Sequence, residues 1–347
     1  MSRPRRRLAA AQVLIGAVVL AALAACSSAD ATAGSTTAPS SDASSAEATP
    51  AALVPITVGG PWNGTAGKEP ADTGPFGYAV HLGLADELLA QHGFSYEGFA
   101  AFNNGPPVVQ ALQSGDIQVG FIGDTPAVLA RSNDLDVPAL LIAKPTQDIW
   151  FLGREGGVHS VEELAGKKVA LQFGSNFDKY GRAVLERAGV LDKVELVNLL
   201  FADALPALQR GEVDAVPLPA TTAGIWRLKN DFPVLTKASE DDPDLLATSV
   251  GLTSGDEYKE NPELAAAVWA VYDAGAQAIL ADHDAYAQFV SDTTGAPKDV
   301  VLAANLWQYG TQPADPDGVA TVTSTLEFLH DTGTTTGTFD PNAWVVP

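Results

Sequence analysis

The chain has 347 residues, 46 % of them hydrophobic and 18 % charged, enough for a large buried core and too apolar for a disordered protein. Its formal charge of −22 excludes a nucleic-acid partner held through basic patches. A single cysteine excludes an intrachain disulfide and any cysteine-based metal or iron–sulfur site.

At the N-terminal end, Arg3, Arg5, Arg6 and Arg7 precede an apolar run from Val13 to Ala25. This is the pattern of an export signal, and the run is shorter than the roughly 20 residues a membrane span needs. Leu23, Ala24 and Ala25 before Cys26 resemble a bacterial lipobox. The expectation is that residues 1–25 are a signal peptide and that Cys26 is lipidated, anchoring an exported protein to the outer face of the cell membrane. Removing residues 1–25 takes away four arginines and no acid, which moves the charge from −22 to −26. Residues 26–52 are mostly Ala, Ser and Thr with scattered acids and read as a flexible tether. The acidic field decays over about 8 Å at physiological salt, so it does not forbid an anion in a local site.

Beyond the tether, strand-like runs at Ile56–Val58, Ile117–Ile122, Ala139–Ile142, Lys168–Phe173, Val194–Leu199 and Val213–Leu218 alternate with helix-like ones. The helices are expected at Tyr78–His92, Pro107–Ser114, Asp178–Ala188, Ala204–Arg210 and Pro262–Ala281, the last with Asn261 as N-cap and Pro262 at its first position. Strand then helix, repeated, predicts an α/β fold with mostly parallel sheets, and the length predicts two lobes.

Residues 111–127 read ALQSGDIQVGFIGDTPA and residues 207–223 read ALQRGEVDAVPLPATTA. Each copy is a helix end, a Gly able to take the left-handed conformation (Gly115, Gly211), an acid (Asp116, Glu212) and a buried strand. A Pro-containing loop that can open a helix follows each strand: Gly123-Asp124-Thr125-Pro126 in the first copy, Pro217-Leu218-Pro219-Ala220-Thr221 in the second. Gly174-Ser175-Asn176 follows a third strand in the same way. Such loops lie at the carboxyl ends of strands, where α/β sheets bind ligands, and helix starts with Ser and Thr hydroxyls attract anions. Thr125, Ser175 and Thr221 read equally as plain N-caps. Trp62 follows the first strand and its Gly59-Gly60-Pro61 turn, where a cleft would be lined, whereas Trp269 and Trp307 fall in helix-like runs and read as packing residues.

The chain contains no GxGxxG, GxxxxGK[ST], GxSxG or SxxK motif. His81, His92, His159, His283 and His330 lack metal-ligand spacing. No catalytic residue, metal or cofactor is expected.

The order of motifs, with ITVGG, VVQALQSGDIQVGFIGDTPAVLA, SVEELAGKKVALQFGSN, LERAGV and VELVNLLFADALPALQRGEVDA after the lipobox, resembles the substrate-binding lipoproteins of ABC importers. The branch is the one that includes aliphatic-sulfonate, taurine and nitrate carriers. The resemblance is dense from Ile56 to Asp214 and thin in the C-terminal third. It implies a type II periplasmic-binding-protein fold of two lobes, with crossings near Asp148–Arg154 and Ala247–Leu252. One lobe would hold residues 53–147 and 253–347, the other residues 148–252 with the two crossings. It further implies that Gly123, Asp124, Thr125, Gly174, Ser175 and Asn176 face the ligand. The function it implies is a monomeric, non-catalytic receptor that delivers a small organic anion, an aliphatic sulfonate first, to an ABC permease. Nitrate, taurine and a thiamine pyrimidine precursor are the alternative ligands, an enzyme resembling thiamine-pyrimidine synthase an alternative activity, and a sensory lipoprotein an alternative role. Two departures bear on the ligand: Val216-Pro217-Leu218-Pro219 stands where relatives have a Trp-containing segment, and Phe177-Asp178 follows GSN where a His is common at the second position. Asp178 also reads as a first-turn helix acid.

Overall fold

The expected alternation of strands and helices is realised in ten strands, among the described residues, divided into two five-stranded sheets. The structure is a computed structural model and describes residues 52–62, 64 and 67–347. The expected signal peptide, Cys26 and the tether up to residue 51 lie outside the described residues.

The chain begins with β1 (Val54–Pro61), α1 (Pro75–His81), α2 (Ala85–Gln91), β2 (Phe94–Phe102), α3 (Gly105–Ser114), β3 (Val119–Gly123), α4 (Asp124–Ser132) and β4 (Ala139–Ile142). It then builds β5 (Ile149–Gly153), β6 (Lys168–Leu171), α5 (Asn176–Arg187), β7 (Glu195–Asn198), α6 (Phe201–Arg210), β8 (Ala215–Pro219), α7 (Ala220–Arg227), β9 (Val234–Lys237) and α8 (Ala238–Asp241). The last part is β10 (Ser249–Leu252) followed by α9 (Gly255–Glu260), α10 (Leu264–Ala281), α11 (His283–Thr294), α12 (Lys298–Ala304) and α13 (Pro316–Asp331).

The first sheet has the order β2-β1-β3-β10-β4 and the second β7-β6-β8-β5-β9. In each, the fourth strand runs antiparallel to both neighbours and the remaining pairings are parallel. Those two strands, β10 and β5, are the ones the chain enters on arriving from the other lobe. Apolar side chains cover both faces of each sheet: Val108, Leu112 and Val322 on one face of the first and Ile56, Leu140 and Val268 on the other. Leu164, Leu171 and Leu185 cover one face of the second sheet, and Leu208, Leu218 and Phe232 the other.

The crossings are shorter than expected and lie earlier in the chain. They pair at one antiparallel bridge, where the Gln147 N–H donates to the Ala247 carbonyl at 3.1 Å and the Ala247 N–H returns the bond at 3.2 Å. Residues 149–153 are strand β5 of the second lobe, and residues 249–252 belong to the first lobe rather than the second, because fully buried Val250 and Leu252 hold β10 between β3 and β4. The helix expected at Tyr78–His92 is two helices broken at Leu82-Gly83-Leu84, and α10 starts at Leu264 because the Asn261 amide bonds Glu257 Oε1 instead of capping it. Trp307 is not helical. It sits in the loop after α12 with a left-handed φ of 52°, its ring stacked on His283 at 4.0 Å.

The repeated phrase occupies the third strand of each sheet and the helix before it. Gly115 and Gly211 end α3 and α6 with φ of 78° and 70°, the left-handed C-cap expected of them. At the last residue of each phrase's helix-to-strand turn, immediately before the strand, a polar side chain ties the incoming strand to the neighbouring one. Gln118 Oε1 accepts from the Thr57 N–H at 2.9 Å, and Asp214 Oδ2 from the Lys168 N–H at 3.1 Å. Gln118 N–H donates to the Thr57 carbonyl and Asp214 N–H to the Lys168 carbonyl in the same way. The duplication therefore encodes one strand-entry device used once per lobe.

Candidate functional site

Strand ends of both sheets point at one cleft, and it contains a cavity of about 360 Å³. The first lobe contributes Gly60 and Pro61 from β1, Asp72 to Phe76 at the start of α1, and Phe121 to Gly123 from β3. The crossings contribute Thr146, Gln147, Asp148, Thr248 and Ser249, and the second lobe Pro219, Ala220 and Thr221 at the start of α7. Tyr272, Tyr286, Asn305 and Tyr309 from the C-terminal third close the remaining wall.

Thr73, Thr146, Thr221 and Ser249 line the cavity, and their hydroxyls take part in no side-chain hydrogen bond among the described residues, so their donors are uncommitted. Gln147 adds an amide. Asn176 Oδ1 must accept from the Thr125 N–H (3.0 Å), so its Nδ2 donates to Gln147 Oε1 (3.0 Å), which leaves the Gln147 NH₂ for the cavity. Burial pushes the Tyr309 phenol up to about 12 and those of Tyr272 and Tyr286 higher still, so all three stay neutral donors at physiological pH. Tyr286 donates to the Thr73 carbonyl at 2.7 Å.

Two carboxylates line the cavity. Asp148 is saturated, with Oδ2 accepting from Trp150 Nε1 (2.7 Å) and Ser239 Oγ (2.8 Å) and Oδ1 from the Ser239 N–H (2.8 Å). Asp72 accepts only the backbone N–H groups of Gly74 and Gly77, each at 2.8 Å, and its pKa is pushed up by desolvation, against which those two bonds pull down. Among the described residues no Lys, Arg or His lines the cavity.

Of the residues expected to face a ligand, Gly123 and Thr221 line this cavity and Trp62, Asp124, Thr125, Gly174, Ser175 and Asn176 do not. Trp62 continues the β1–β2 ladder through its N–H to the Phe102 carbonyl (2.8 Å), and its indole folds over Gly64. Ser175 caps α5: its Oγ accepts from the Phe177 and Asp178 N–H groups and donates to the Gln172 carbonyl. Gly174, with φ of 74°, donates to Asp178 Oδ2 at 3.0 Å, and Arg182 Nε holds Oδ1 at 2.7 Å, so Asp178 is a helix-start acid and no extra carboxylate of the cavity.

Asp124, Thr125 and Asn176 instead fasten one lobe to the other. Fully buried Asp124 at the start of α4 accepts the Thr248 N–H on Oδ1 (3.1 Å). Its Oδ2 meets Lys179 Nζ of α5 (3.4 Å) and Thr325 Oγ1 of α13 (2.5 Å). Lys179, 4 % exposed, also donates to Thr325 Oγ1 at 2.5 Å. Gly123 is required beside them, since a Cβ there would lie 2.3 to 2.6 Å from the Asn176 amide. At the opposite lip a Cβ on Gly224 of α7 would meet Val300 of α12 at 2.6 Å.

Residues 86–285, more than half of the chain, match the family model described as NMT1/THI5 like. The chain belongs to that family. This NMT1/THI5-like chain is 31 % identical over 159 residues to the taurine-binding periplasmic protein of Escherichia coli, across 45 % of itself and 48 % of that protein. It thus spans about half the length of that curated relative. Its fold is that of the periplasmic aliphatic sulphonate binding protein of Escherichia coli, with a TM-score of 0.67 at 20 % identity over 84 % of this chain and 91 % of that one. The desulfurization enzyme DSZB also shares it, with a TM-score of 0.64 at 15 % identity over 85 % of this chain and 96 % of that one. The two-lobed periplasmic-binding-protein fold expected from the sequence is therefore the fold of this chain, and the same fold hosts both binding proteins and an enzyme.

The expectation missed Asp72, Gln147, Tyr286 and Tyr309. Asp72-Thr73-Gly74-Pro75 carried a readable signal, an acid three residues before a Pro-initiated helix. The two tyrosines lie where no motif marks them.

Proposed function

We propose that this protein is an extracytoplasmic solute receptor, anchored through Cys26, that captures a small organic sulfonate between its lobes and delivers it to an ABC permease. The observation that carries the reading is the interlobe cavity with its four uncommitted hydroxyls, the Gln147 amide and the start of α7. A sulfonate has three acceptor oxygens and stays ionised at neutral pH, so O–H and N–H donors suit it without a metal. The likeness to a taurine-binding protein supports the same class. The 31 % identity to a taurine-binding protein supports a receptor over an enzyme.

Thermal melting with alkanesulfonates, aminosulfonates, nitrate, sulfate and hydroxymethylpyrimidine compounds tests the reading. A solute of micromolar affinity gains roughly 8 kcal/mol on binding, and at a hundred times its Kd it stabilises the fold by about 2.7 kcal/mol. Stabilisation by sulfonates above the rest is the expected outcome. A panel in which only nitrate or the pyrimidines register would overturn it.

A further inference from the structure

A simple sulfonate would enter a cavity lined, among the described residues, by no cationic side chain and by two carboxylates without an ion pair: Asp148, whose oxygens are taken up by the Trp150 indole and Ser239, and Asp72, which accepts only two backbone N–H groups. The only lysine in its own segment, Lys68, donates to the Asp292 carbonyl at 2.7 Å. Asp72 lines the same cavity as the aromatic wall that includes Tyr272 and Tyr286, and the Tyr286 hydroxyl donates to the carbonyl of its neighbour Thr73 at 2.7 Å. That wall is extensive. Phe121 lies 5.7 Å from Phe76 and 6.2 Å from Tyr272, and Tyr286 and Tyr309 extend it. Aromatic faces beside an acid form the environment that attracts an alkylated ammonium, whose charge is spread and whose hydration is weak. The far side of the cavity, with Thr221, Ser249 and Gln147, presents donors and suits an anion.

We infer that the solute carries a cationic, N-alkylated nitrogen besides its sulfonate, and that Asp72 with the rings of Tyr272, Tyr286 and Phe121 selects it. This rests on the sulfonate reading and gives that site a second, charge-selective end. Asp72 balances the cation, the rings replace its water, and a plain sulfonate leaves the carboxylate uncompensated.

Calorimetry of the full protein with ethanesulfonate, 2-aminoethanesulfonate, 2-(trimethylammonio)ethanesulfonate and tetramethylammonium tests it. The expected order places the trimethylammonio compound at least about 10-fold tighter than ethanesulfonate, with the primary amine between them. Asp72→Asn should lower affinity for the trimethylammonio compound by about 10- to 100-fold and shrink or remove its advantage over ethanesulfonate. Tyr272→Leu, which leaves the α1 contacts of Asp72 intact, should erode the same preference if Asp72→Asn fails to fold. Equal binding of ethanesulfonate and the trimethylammonio compound, or tighter binding of the primary amine, overturns the inference while the sulfonate reading stands. Binding of tetramethylammonium without any sulfonate overturns that reading and leaves cation selection in place. No binding of any of the four overturns both.

Discussion

Replacing Lys179 with Met keeps the length of the side chain and removes its charge, leaving Asp124 fully buried with no cation. Removing one partner of a buried pair costs about 3 to 5 kcal/mol, because the remaining charge stays desolvated. For a unit that runs from Pro50 to Pro347, unfolding entropy of about 2.1 cal/mol/K per residue gives roughly 0.6 kcal/mol per degree, so Tm should fall by about 5 to 8 °C. The double variant Asp124→Asn/Lys179→Met isolates the cause. Asn retains an oxygen for the Thr248 N–H and drops the buried charge, so at least half of the lost stability should return. Scanning calorimetry of the three variants and the wild type is the assay. A Lys179→Met protein within about 1 kcal/mol of wild type would refute the reasoning, since it would mean that water reaches the pair in the free protein.

Ser175→Ala should cost about 1 kcal/mol of stability through the lost α5 cap and leave solute affinity unchanged; a tenfold loss of affinity at constant Tm would put the hydroxyl on the solute after all. At Asp214 burial pushes the carboxyl up, but the Arg154 guanidinium at 2.9 Å and the Lys168 N–H outweigh it and hold the pKa below the usual range. A depressed folded-state pKa contributes stability above the unfolded value of about 3.9 and loses it as pH falls through the folded value. Melting curves between pH 6 and 3 should therefore drop less steeply for Asp214→Asn than for wild type, and parallel curves would refute the assignment.

The α/β architecture was legible because it depends on local periodicity and on turn residues whose backbone demands are severe, as at Gly115 and Gly211. The strand ends were legible as the place of the cleft, and Gly123 and Thr221 do line it. What escaped is which partner satisfies each helix start. Read alone, Gly123-Asp124-Thr125 and Gly174-Ser175-Asn176 are two sets of free donors. Folded, the Thr125 N–H is taken by Asn176 from the other lobe, and the Ser175 oxygen is spent on its own helix. The crossing boundaries were misplaced for a related reason: Val250 and Leu252 look the same in a strand as in an extended connection until β3 and β4 are present to pair with.

The two kinds of residue at the cleft divide the work of binding differently. Asp124, Asn176 and Lys179 join the lobes without lining the cavity, so on the proposed reading their substitution should lower the fraction of molecules with lobes together and weaken every solute alike, since the apparent Kd scales inversely with that fraction. Asp72, Tyr272 and Tyr286 line the cavity, so their substitution alters the ratio between solutes. Lys179→Met should thus weaken all sulfonates by one common factor, while Asp72→Asn reorders them. The matched region, residues 86–285, contains the fastening residues, whereas Asp72 precedes it and Tyr286 and Tyr309 follow it. The residues proposed to select the solute thus lie on both sides of that boundary, Phe121 and Tyr272 inside the match and Asp72 and Tyr286 outside it.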